Sequence, residues 1–461
     1  MMKIYRFKGL LQEEGWVSPA FVGISKKGKV KFITDNYNGT EVVTNLNGYA
    51  LPGFQNAHSH AFQYAMAGLA EKHKLGAEAD DFWSWREEMY RLALKVTPKQ
   101  LENIATMLYT EMIRHGYTHV AEFHYLHHDV DGKQYPKLAA MGKSLIKAAK
   151  RSGINITLVP IFYQMGGFGK PATDKQKRFI SPCVDDYLKL LEDSKKASKS
   201  YDGANIGIGI HSLRGVKGED IVKISENEAT QELPFHIHIA EQLKEVEDSI
   251  DFQGLRPVEW LLKNVNLNQR YHLVHATHLT NEETEGIAKA NANVVLCPTT
   301  EGNLGDGIFP LDLFQELNGN WSIGTDSHIG INPLEELRLL DYGQRLTSHK
   351  RNIFTSNTEG NSANFSLKKC LLAGRKAMGN YQSKFFEVGT KFNASVYDAD
   401  APLLSVSSLE NLTNTIVYAS DSSSQLATIC NGEMISYRGI HKKQAQIITR
   451  FKESMGELGN R

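Results

Sequence analysis

The sequence predicts an α/β protein, a (β/α)8 TIM-like barrel joined to a small β-sandwich domain that is built from the N- and C-terminal segments. Three observations lead to this prediction. Eight apolar, strand-like runs alternate with helical stretches through most of the chain. Short strands separated by Gly, Asn and Lys turns occupy both ends. The composition, 41% hydrophobic and 23% charged, is that of a large globular protein.

The two ends of the chain are predicted to form one domain together. The first segment contains the short runs KIYRF, WVSPAFVGI, VKFITD and EVVTNL, and the last contains ASVYDA, NTIVYAS, LATICNG and EMISYRG. Each half alone would leave exposed strand edges, which favour unwanted pairing, so we expect the halves to pair with each other. We therefore predict a composite β domain from residues 1–50 and 386–445, and a barrel from residues 51–385.

The barrel prediction depends on the number of runs. The eight are YALPGFQNAHSH (49–60), YTHVAEFHY (117–125), NITLVPIFYQ (155–164), NIGIGIHSL (205–213), PFHIHIAE (234–241), YHLVHATHL (271–279), NVVLCPTT (293–300) and WSIGTDSH (321–328). Helical stretches such as 98–116 and 136–152 separate them, which is typical of parallel β/α units. Eight such units favour closure into a barrel, and an open sheet is the alternative.

Charge and cysteine content restrict the partners. The 52 basic and 52 acidic residues give a net charge of 0, so no basic field attracts nucleic acid or anionic lipid, and a small-molecule partner is expected. The four cysteines are widely separated, which favours reduced thiols in a cytoplasmic protein. No secretory leader and no membrane-spanning apolar run is expected.

Histidines and carboxylates follow the ends of the runs, where barrel enzymes hold their active sites. His58 and His60 lie two residues apart, so both can project to the same side of a strand and reach one metal. Three imidazoles and one carboxylate can hold a divalent ion and leave a place for water, whose pKa falls to about 7 on zinc. A further carboxylate can then move the proton, a role that Glu241 fits. Candidates at the later run ends are His236, His238, His272, His275, His278, Asp326 and His328.

Several longer motifs identify a family. HSH after the first run, H-x-x-E at 238–241, the histidine after run six and TDS after run eight resemble the amidohydrolase superfamily over the whole chain. LPGFQNAHSHAFQYAMAGLAE, DDFWSWREEMY, VAEFHYLHHD, HSLRGV, HIHIAEQ and LCPTTEGNLGDGIFPLD are similar to its N-formimidoyl-L-glutamate-hydrolysing deiminases. The resemblance implies metal ligands His58, His60, His238 and Asp326 with zinc as the metal. It also implies Glu241 as the proton shuttle, and His275 as a hydrogen-bond partner of the attacking water or the developing tetrahedral centre.

The implied reaction converts N-formimidoyl-L-glutamate to N-formyl-L-glutamate and ammonia in histidine degradation. This substrate has two carboxylates and an amidinium, so its pocket should contain arginines with bidentate geometry. By resemblance, Arg86, Arg214 and Tyr125 bind the carboxylates, and Gln63 and His211 are further pocket residues. The resemblance also suggests a homodimer.

Other interpretations remain open on the sequence alone. The metal residues are shared with deaminases of nucleobases and nucleosides, and a barrel scaffold without activity is a further alternative. Iron(II) or manganese could replace zinc. His236 is expected to pack inside the barrel or to orient a metal ligand. The group His124, His127 and His128 is expected to be solvated or locally hydrogen-bonded, and His328 has no assigned role.

Overall fold

The computed structural model describes residues 2–71 and 82–459, with only the backbone described at 82–84. The first two residues of the motif at 80–90 therefore lie outside the described residues. None of the described helices is long and apolar enough to cross a membrane.

Twenty strands occur in the described residues. In the N-terminal segment they are β1 (Lys3–Gln12), β2 (Gly15–Val17), β3 (Ala20–Ile24), β4 (Val30–Thr34) and β5 (Val43–Pro52). The central strands are β6 (Phe54–Ser59), β7 (Tyr117–His124), β8 (Asn155–Phe162), β9 (Met165–Gly167), β10 (Lys170–Pro171), β11 (Ala204–Ile206), β12 (Ile208–Ile210), β13 (Phe235–Ile239), β14 (Tyr271–His275), β15 (Asn293–Leu296) and β16 (Asn320–Ile323). The last are β17 (Ala394–Asp398), β18 (Gln425–Cys430), β19 (Glu433–Tyr437) and β20 (Ile440–His441).

Fifteen α-helices lie between and after these strands in the described residues. They are α1 (Phe82–Ala93), α2 (Pro98–Arg114), α3 (Ala140–Ser152), α4 (Val184–Ser198), α5 (Gly218–Glu226), α6 (Leu243–Gln253), α7 (Pro257–Asn264), α8 (Asn281–Lys289), α9 (Pro298–Leu304), α10 (Leu311–Glu316), α11 (Pro333–Ser348), α12 (Ser362–Ala377), α13 (Pro402–Val406), α14 (Leu409–Ala419) and α15 (Gln444–Leu458). Short 3-10 helices cover Ala61–Met66, Asp174–Gln176 and Ser422–Ser424.

The central strands form the predicted parallel barrel. These strands are hydrogen-bonded side by side in the order β6, β7, β8, β12, β13, β14, β15 and β16. The short strand β11, which directly precedes β12 in the chain, also pairs with β8. The side chains of β6, β8, β13, β14 and β15 are buried along their whole length, as expected when helices cover one face of a sheet and the barrel interior the other. The predicted fold class is confirmed.

The barrel closes between its first and last strands just beyond their carboxyl ends. Ser59 forms a parallel bridge with Asp326. The backbone N–H groups of Thr325 and Asp326 both donate to the His58 carbonyl at 3.1 Å, and the His60 N–H donates to the Asp326 carbonyl at 3.2 Å. Two candidate metal-binding segments are thus bonded directly to each other.

The terminal segments pair with each other in one β domain, as predicted. Pairing joins β1–β5 and β17–β20 in a single nine-stranded sheet. The physical reason is β5, which pairs in parallel with β1 and antiparallel with β17, so the two halves meet edge to edge.

Two local predictions differ from the structure. Run 49–60 is divided at Gly53 between β5 of the terminal sheet and β6 of the barrel. A Cβ atom at Gly53 would lie 2.3 Å from the Thr118 side chain, so only glycine fits at this crossing. The run NTIVYAS is not a strand but the end of α14, in which Leu412 and Ile416, four residues apart, are both buried.

Candidate metal centre and active site

Four side chains converge at the carboxyl ends of the barrel strands. His58 is on β6, His60 follows it, His238 is on β13 and Asp326 follows β16. Each offers one ligand atom, and all four atoms lie within 4.8 Å of one another. All four residues are buried, with exposed fractions of 6% or less. The structure therefore brings together the four side chains that the family resemblance implied as ligands.

The spacing of these atoms suits a tetrahedral ion. The Nε2 atom of His58 lies 3.1 Å from that of His60 and 3.0 Å from that of His238. The Oδ1 atom of Asp326 lies 3.4 Å from His58 Nε2 and 3.2 Å from His60 Nε2. Ligands about 2.0 to 2.1 Å from a tetrahedral zinc are separated by about 3.3 Å, so the donor set has the right size for such an ion.

Hydrogen bonds at the outer ring nitrogens fix which nitrogen faces the centre. His60 Nδ1 lies 2.8 Å from the Phe123 carbonyl, and His238 Nδ1 lies 3.1 Å from the His211 carbonyl. A carbonyl can only accept, so Nδ1 of each ring holds the proton and Nε2 of the neutral ring presents a lone pair inward. Converging lone pairs repel one another unless a cation or proton lies between them, and the residues present therefore fit a divalent metal.

Electrostatics keep the donors in the forms that bind metal. Burial lowers the pKa of His58 to about 3, so its ring is neutral. Burial would raise the pKa of Asp326, but the His58 and His60 rings, whose Nε2 atoms lie 3.4 and 3.2 Å from its Oδ1 atom, lower it well below its usual range. An ionised carboxylate among neutral imidazoles is the form in which each ligand coordinates.

Backbone strain accompanies the site. Asp326 and His275 have φ angles of 41° and 68°, in the left-handed region that non-glycine residues rarely adopt. Ala240, Ala276 and His328 also have positive φ angles. Strained residues persist where the surrounding structure fixes them, and here they aim side chains at the carboxyl ends of three barrel strands.

Glu241 and His275 lie beside the donor set. Glu241 Oε1 is 3.7 Å from His275 Nε2, which is itself 3.9 Å from Asp326 Oδ2. Burial raises the pKa of the Glu241 carboxyl, whereas the positive charges of His275 and Arg214 oppose this. Burial lowers the pKa of His275, but the surrounding carboxylates of Glu241, Asp326 and Glu301 outweigh it and raise the pKa to about 10. The pair can therefore exchange a proton beside the metal donors.

A small cavity connects these groups with the predicted substrate residues. It has a volume of about 50 Å³ and is lined by His60, Gln63, Trp85, Arg86, Met89, Tyr125, His211, Arg214, His238, Glu241, His275, Leu304 and Asp326. A neighbouring cavity of about 430 Å³ shares Arg86, His211 and Arg214 with it. Every substrate residue predicted from the sequence thus lies on this cavity, although its role stays a prediction.

The two arginines are held by different neighbours. The Arg86 guanidinium lies 5.1 Å from the ring centroid of Tyr90 and also interacts with Tyr163. Arg214 lies 3.9 Å from carboxylate oxygens of both Glu241 and Glu245. Both guanidinium groups form part of the wall of the small cavity, where they provide positive charge for an anionic ligand.

Polar groups of Gln63, Tyr125 and His211 complete this wall. The Gln63 amide donates to the Tyr125 hydroxyl at 2.9 Å, and its buried oxygen has no hydrogen-bond partner among the described residues. The His211 ring is 2.9 Å from the Ser212 hydroxyl through Nδ1. Gln63 thus offers the cavity an acceptor, of the kind that an amidinium requires.

The remaining histidines have local partners. His236 Nε2 is 3.0 Å from the Ala377 carbonyl, and its ring packs on His272 inside the barrel. His127 and His128 each bond a backbone carbonyl, and His328 contacts the Thr325 hydroxyl at 2.9 Å. His124, at the end of β7, and His127 and His128, in the loop that follows, are buried rather than solvated, and the Arg178 carbonyl accepts from the backbone N–H groups of the last two.

Two acidic residues that the sequence did not single out support the site. Glu301 accepts from the Cys297 N–H at 2.9 Å and lies 3.2 Å from His275 Nδ1, so it orients that ring. Glu122 accepts from the Ser59 hydroxyl and the Ala61 N–H and thereby holds the segment that includes His60. Their only sequence signal was their position inside the motifs VAEFHYLHHD and LCPTTEGNLGDGIFPLD.

The fold is a closed parallel barrel, and its strand ends hold three imidazoles and a carboxylate, with a buried acid and a histidine beside them. This arrangement defines a metal-dependent hydrolase. The chain belongs to the amidohydrolase family, whose sequence profile matches residues 49–435. The family resemblance noted in the sequence is therefore confirmed.

Individual relatives refine this result. Formimidoylglutamate deiminase of Pseudomonas aeruginosa is 39% identical over 459 residues, which are 99% of this chain and 100% of that protein. The crystal structure of an amidohydrolase from Brucella melitensis has a TM-score of 0.92 and 36% identity, and covers 99% of each chain. An adenosine deaminase of Xanthomonas campestris, solved with bound zinc, has a TM-score of 0.80 at 18% identity, covers 99% of this chain and 98% of its own, and supports the fold alone.

Proposed function

We propose that this protein hydrolyses N-formimidoyl-L-glutamate to N-formyl-L-glutamate and ammonia, a step of histidine degradation. The observation that supports this substrate most directly is the pair Arg86 and Arg214 on the cavity beside the metal donors. A small molecule with two carboxylates needs such a pair, whereas an uncharged nucleobase does not. The 39% identity to formimidoylglutamate deiminase over nearly the whole chain supports the same substrate.

His58, His60, His238 and Asp326 would hold the metal. When bound, a divalent ion supplies a water of lowered pKa and polarises the reacting carbon–nitrogen group. Glu241 accepts one proton of the attacking water and returns it to the departing nitrogen; the carbon–nitrogen bond then breaks as the formyl C=O bond forms, ammonia leaves, and the second water proton is released to solvent. His275, fixed by Glu301, donates a hydrogen bond toward the reacting centre from Nε2. Arg86 and Arg214 bind the carboxylates and so place the formimidoyl carbon at the donors.

Zinc is the metal that we propose, one ion per subunit. Three imidazoles and one carboxylate form a nitrogen-rich tetrahedral set, which suits zinc better than calcium or magnesium. Metal analysis of the purified protein measures the identity and the stoichiometry. The predicted homodimer and cytoplasmic location also stay proposals, and light scattering together with cell fractionation would check them.

Ammonia release tests the function. The purified protein, with its metal content determined, is incubated with N-formimidoyl-L-glutamate, guanine, cytosine or adenosine at neutral pH. Release from formimidoylglutamate alone is expected. Release from a nucleobase or nucleoside alone would support an aminohydrolase of such compounds instead, and no release from any of the four at full metal occupancy would contradict the proposal.

The same assay tests the carboxylate assignment through Arg214→Ala. Losing a charge-assisted bond to a buried carboxylate costs about 3 kcal/mol, so kcat/KM should fall about 10²-fold while the metal content stays unchanged. Arg91→Ala, which removes an exposed arginine from α1, is the matched control and should behave as the wild type. Equal activity of the Arg214 variant would refute this role.

A further inference from the structure

A second group of potential ligands adjoins the four metal donors. Glu241, His275 and Asp306 each offer one ligand atom, and these atoms lie within 4.8 Å of one another. All three residues are buried, with Asp306 only 4% exposed. Asp306 lies in the loop after α9, where its N–H donates to the Glu301 carbonyl at 2.9 Å. This loop therefore adds a carboxylate behind the proposed proton shuttle.

The Asp306 carboxylate is only partly satisfied. Its Oδ1 atom accepts a hydrogen bond from the Gln242 amide. Its Oδ2 atom is buried and has no hydrogen-bond partner among the described residues. Such an oxygen normally costs free energy unless a proton or a cation binds it. Burial and the neighbouring Glu241 carboxylate raise the pKa of Asp306 to about 9, although the positive charge of His275 opposes this shift.

We propose that Glu241, His275 and Asp306 form a second divalent-cation site, which fills when zinc exceeds one equivalent and inhibits the enzyme. Glu241 Oε1 and His275 Nε2 are 3.7 Å apart, close enough for one ion to bind both. His275 Nε2 also lies 3.9 Å from Asp326 Oδ2, so the second site borders the first. Paired metal ions in hydrolases are commonly about 3.5 to 4 Å apart, a spacing compatible with two adjoining sites.

The donor types decide which ions bind. One imidazole and two carboxylates favour zinc, manganese or iron(II) over magnesium or calcium, which prefer oxygen ligands alone. Arg214 lies 3.9 Å from Glu241 Oε2, and its positive charge opposes a second cation. The second site should therefore be weaker than the first.

Inhibition follows from the groups that the second ion would take. An ion bound to Glu241 and His275 prevents both from exchanging protons with water and the leaving nitrogen. This consequence rests on the proposed function, whereas the binding itself does not. The binding test therefore uses metal alone and no substrate, and the two proposals can fail separately.

Zinc titration of the full-length protein tests the site. Equilibrium dialysis with metal analysis should show one tight equivalent and one weaker equivalent in the wild type. Asp306→Asn should weaken the second equivalent at least about 10-fold and leave the first unchanged, because one of three ligands is lost. Asp312 is an exposed aspartate paired with Lys350, and Asp312→Asn is therefore the matched control. This control variant should bind both equivalents of zinc. A single equivalent in the wild type, or an unchanged second affinity in Asp306→Asn, overturns the proposal.

Two further measurements keep the test decisive. Relative to its activity at one equivalent, the wild type should lose activity as the second equivalent binds, and Asp306→Asn should require at least about 10-fold more zinc for the same loss. If that variant does not fold, the wild type loaded with two equivalents of Mn²⁺ is measured by electron paramagnetic resonance. A spin-coupled pair supports adjoining sites, and two uncoupled ions contradict them.

Discussion

Replacing Glu241 by glutamine tests the central step of the proposed reaction. The carboxylate is 5% exposed and lies 3.7 Å from His275 and 3.9 Å from Arg214. Glutamine has nearly the same shape, but it does not accept a proton near neutral pH. Because Glu241 is outside the four-donor set, the substitution should remove proton transfer and leave the metal in place.

The magnitude follows from the role. A positioned acid–base group contributes about 10²- to 10⁴-fold to a rate, which corresponds to about 2.7 to 5.4 kcal/mol of activation free energy. We expect kcat to fall within this range. KM should change much less, because Arg86 and Arg214 would still bind the carboxylates of the substrate.

The assay is ammonia release by Glu241→Gln and wild type at matched metal content. Glu247→Gln is the control, since Glu247 is an exposed residue of the same helix, α6, and its loss should leave kcat unchanged. A kcat within about fivefold of the wild type would refute the shuttle role, because general acid–base catalysis contributes more than this. Loss of the metal from Glu241→Gln would show instead that Glu241 acts as a ligand.

Three further predictions concern the metal, the substrate and the fold. His60→Ala should lose the metal and the activity. When one equivalent of zinc is added, metal analysis should show that wild type stripped by a chelator binds it again, whereas the His60→Ala variant does not. Arg86→Ala should raise KM by about 10- to 150-fold, because one charge-assisted bond to the substrate is lost. Arg91→Ala should leave KM unchanged, and equal KM values for Arg86→Ala and wild type would contradict the assignment of Arg86 to a substrate carboxylate. Burial raises the pKa of Glu336 to about 8 from an ordinary value near 4.5, so between these pH values the folded protein holds a proton that the unfolded chain has released. Wild type should therefore lose stability relative to Glu336→Gln as pH rises from about 5 to about 8.5, and denaturation with urea at both pH values measures this change.

The barrel and its metal donors could be predicted because both depend on local patterns. Buried parallel strands appear as continuous apolar runs, and two histidines at alternate positions of a strand necessarily point to one side. The ends of such strands meet in a barrel, so the sequence alone is enough to expect the histidines and carboxylates at the strand ends near one another. The choice among neighbouring histidines required the family resemblance.

Contacts through space account for most of what the sequence did not predict. Glu301 and Asp306 follow β15, whereas their partners His275 and Glu241 lie at the end of β14 and after β13, and no spacing within the chain encodes this proximity. The strand predicted for the run NTIVYAS was wrong for another reason. Its β-branched residues favour a strand, but the buried positions in α14 recur every three to four residues, and this packing outweighs the weak local preference.

The same bonds that close the barrel also position its metal donors, and this links binding to stability. Between the first and last strands the described bonds include those from Thr325 and Asp326 to the His58 carbonyl and from His60 to Asp326. Without metal, neutral imidazoles and an ionised carboxylate face one another across this closure. The lone pairs of these groups repel one another, and a divalent ion would replace that repulsion with bonds to residues on both sides of the closure. A metal present at 100 times its Kd would stabilise the folded state by about 2.7 kcal/mol. Loss of the metal should therefore loosen the closure between β6 and β16 before the rest of the barrel, and amide hydrogen exchange at His60 and Asp326 would detect this order.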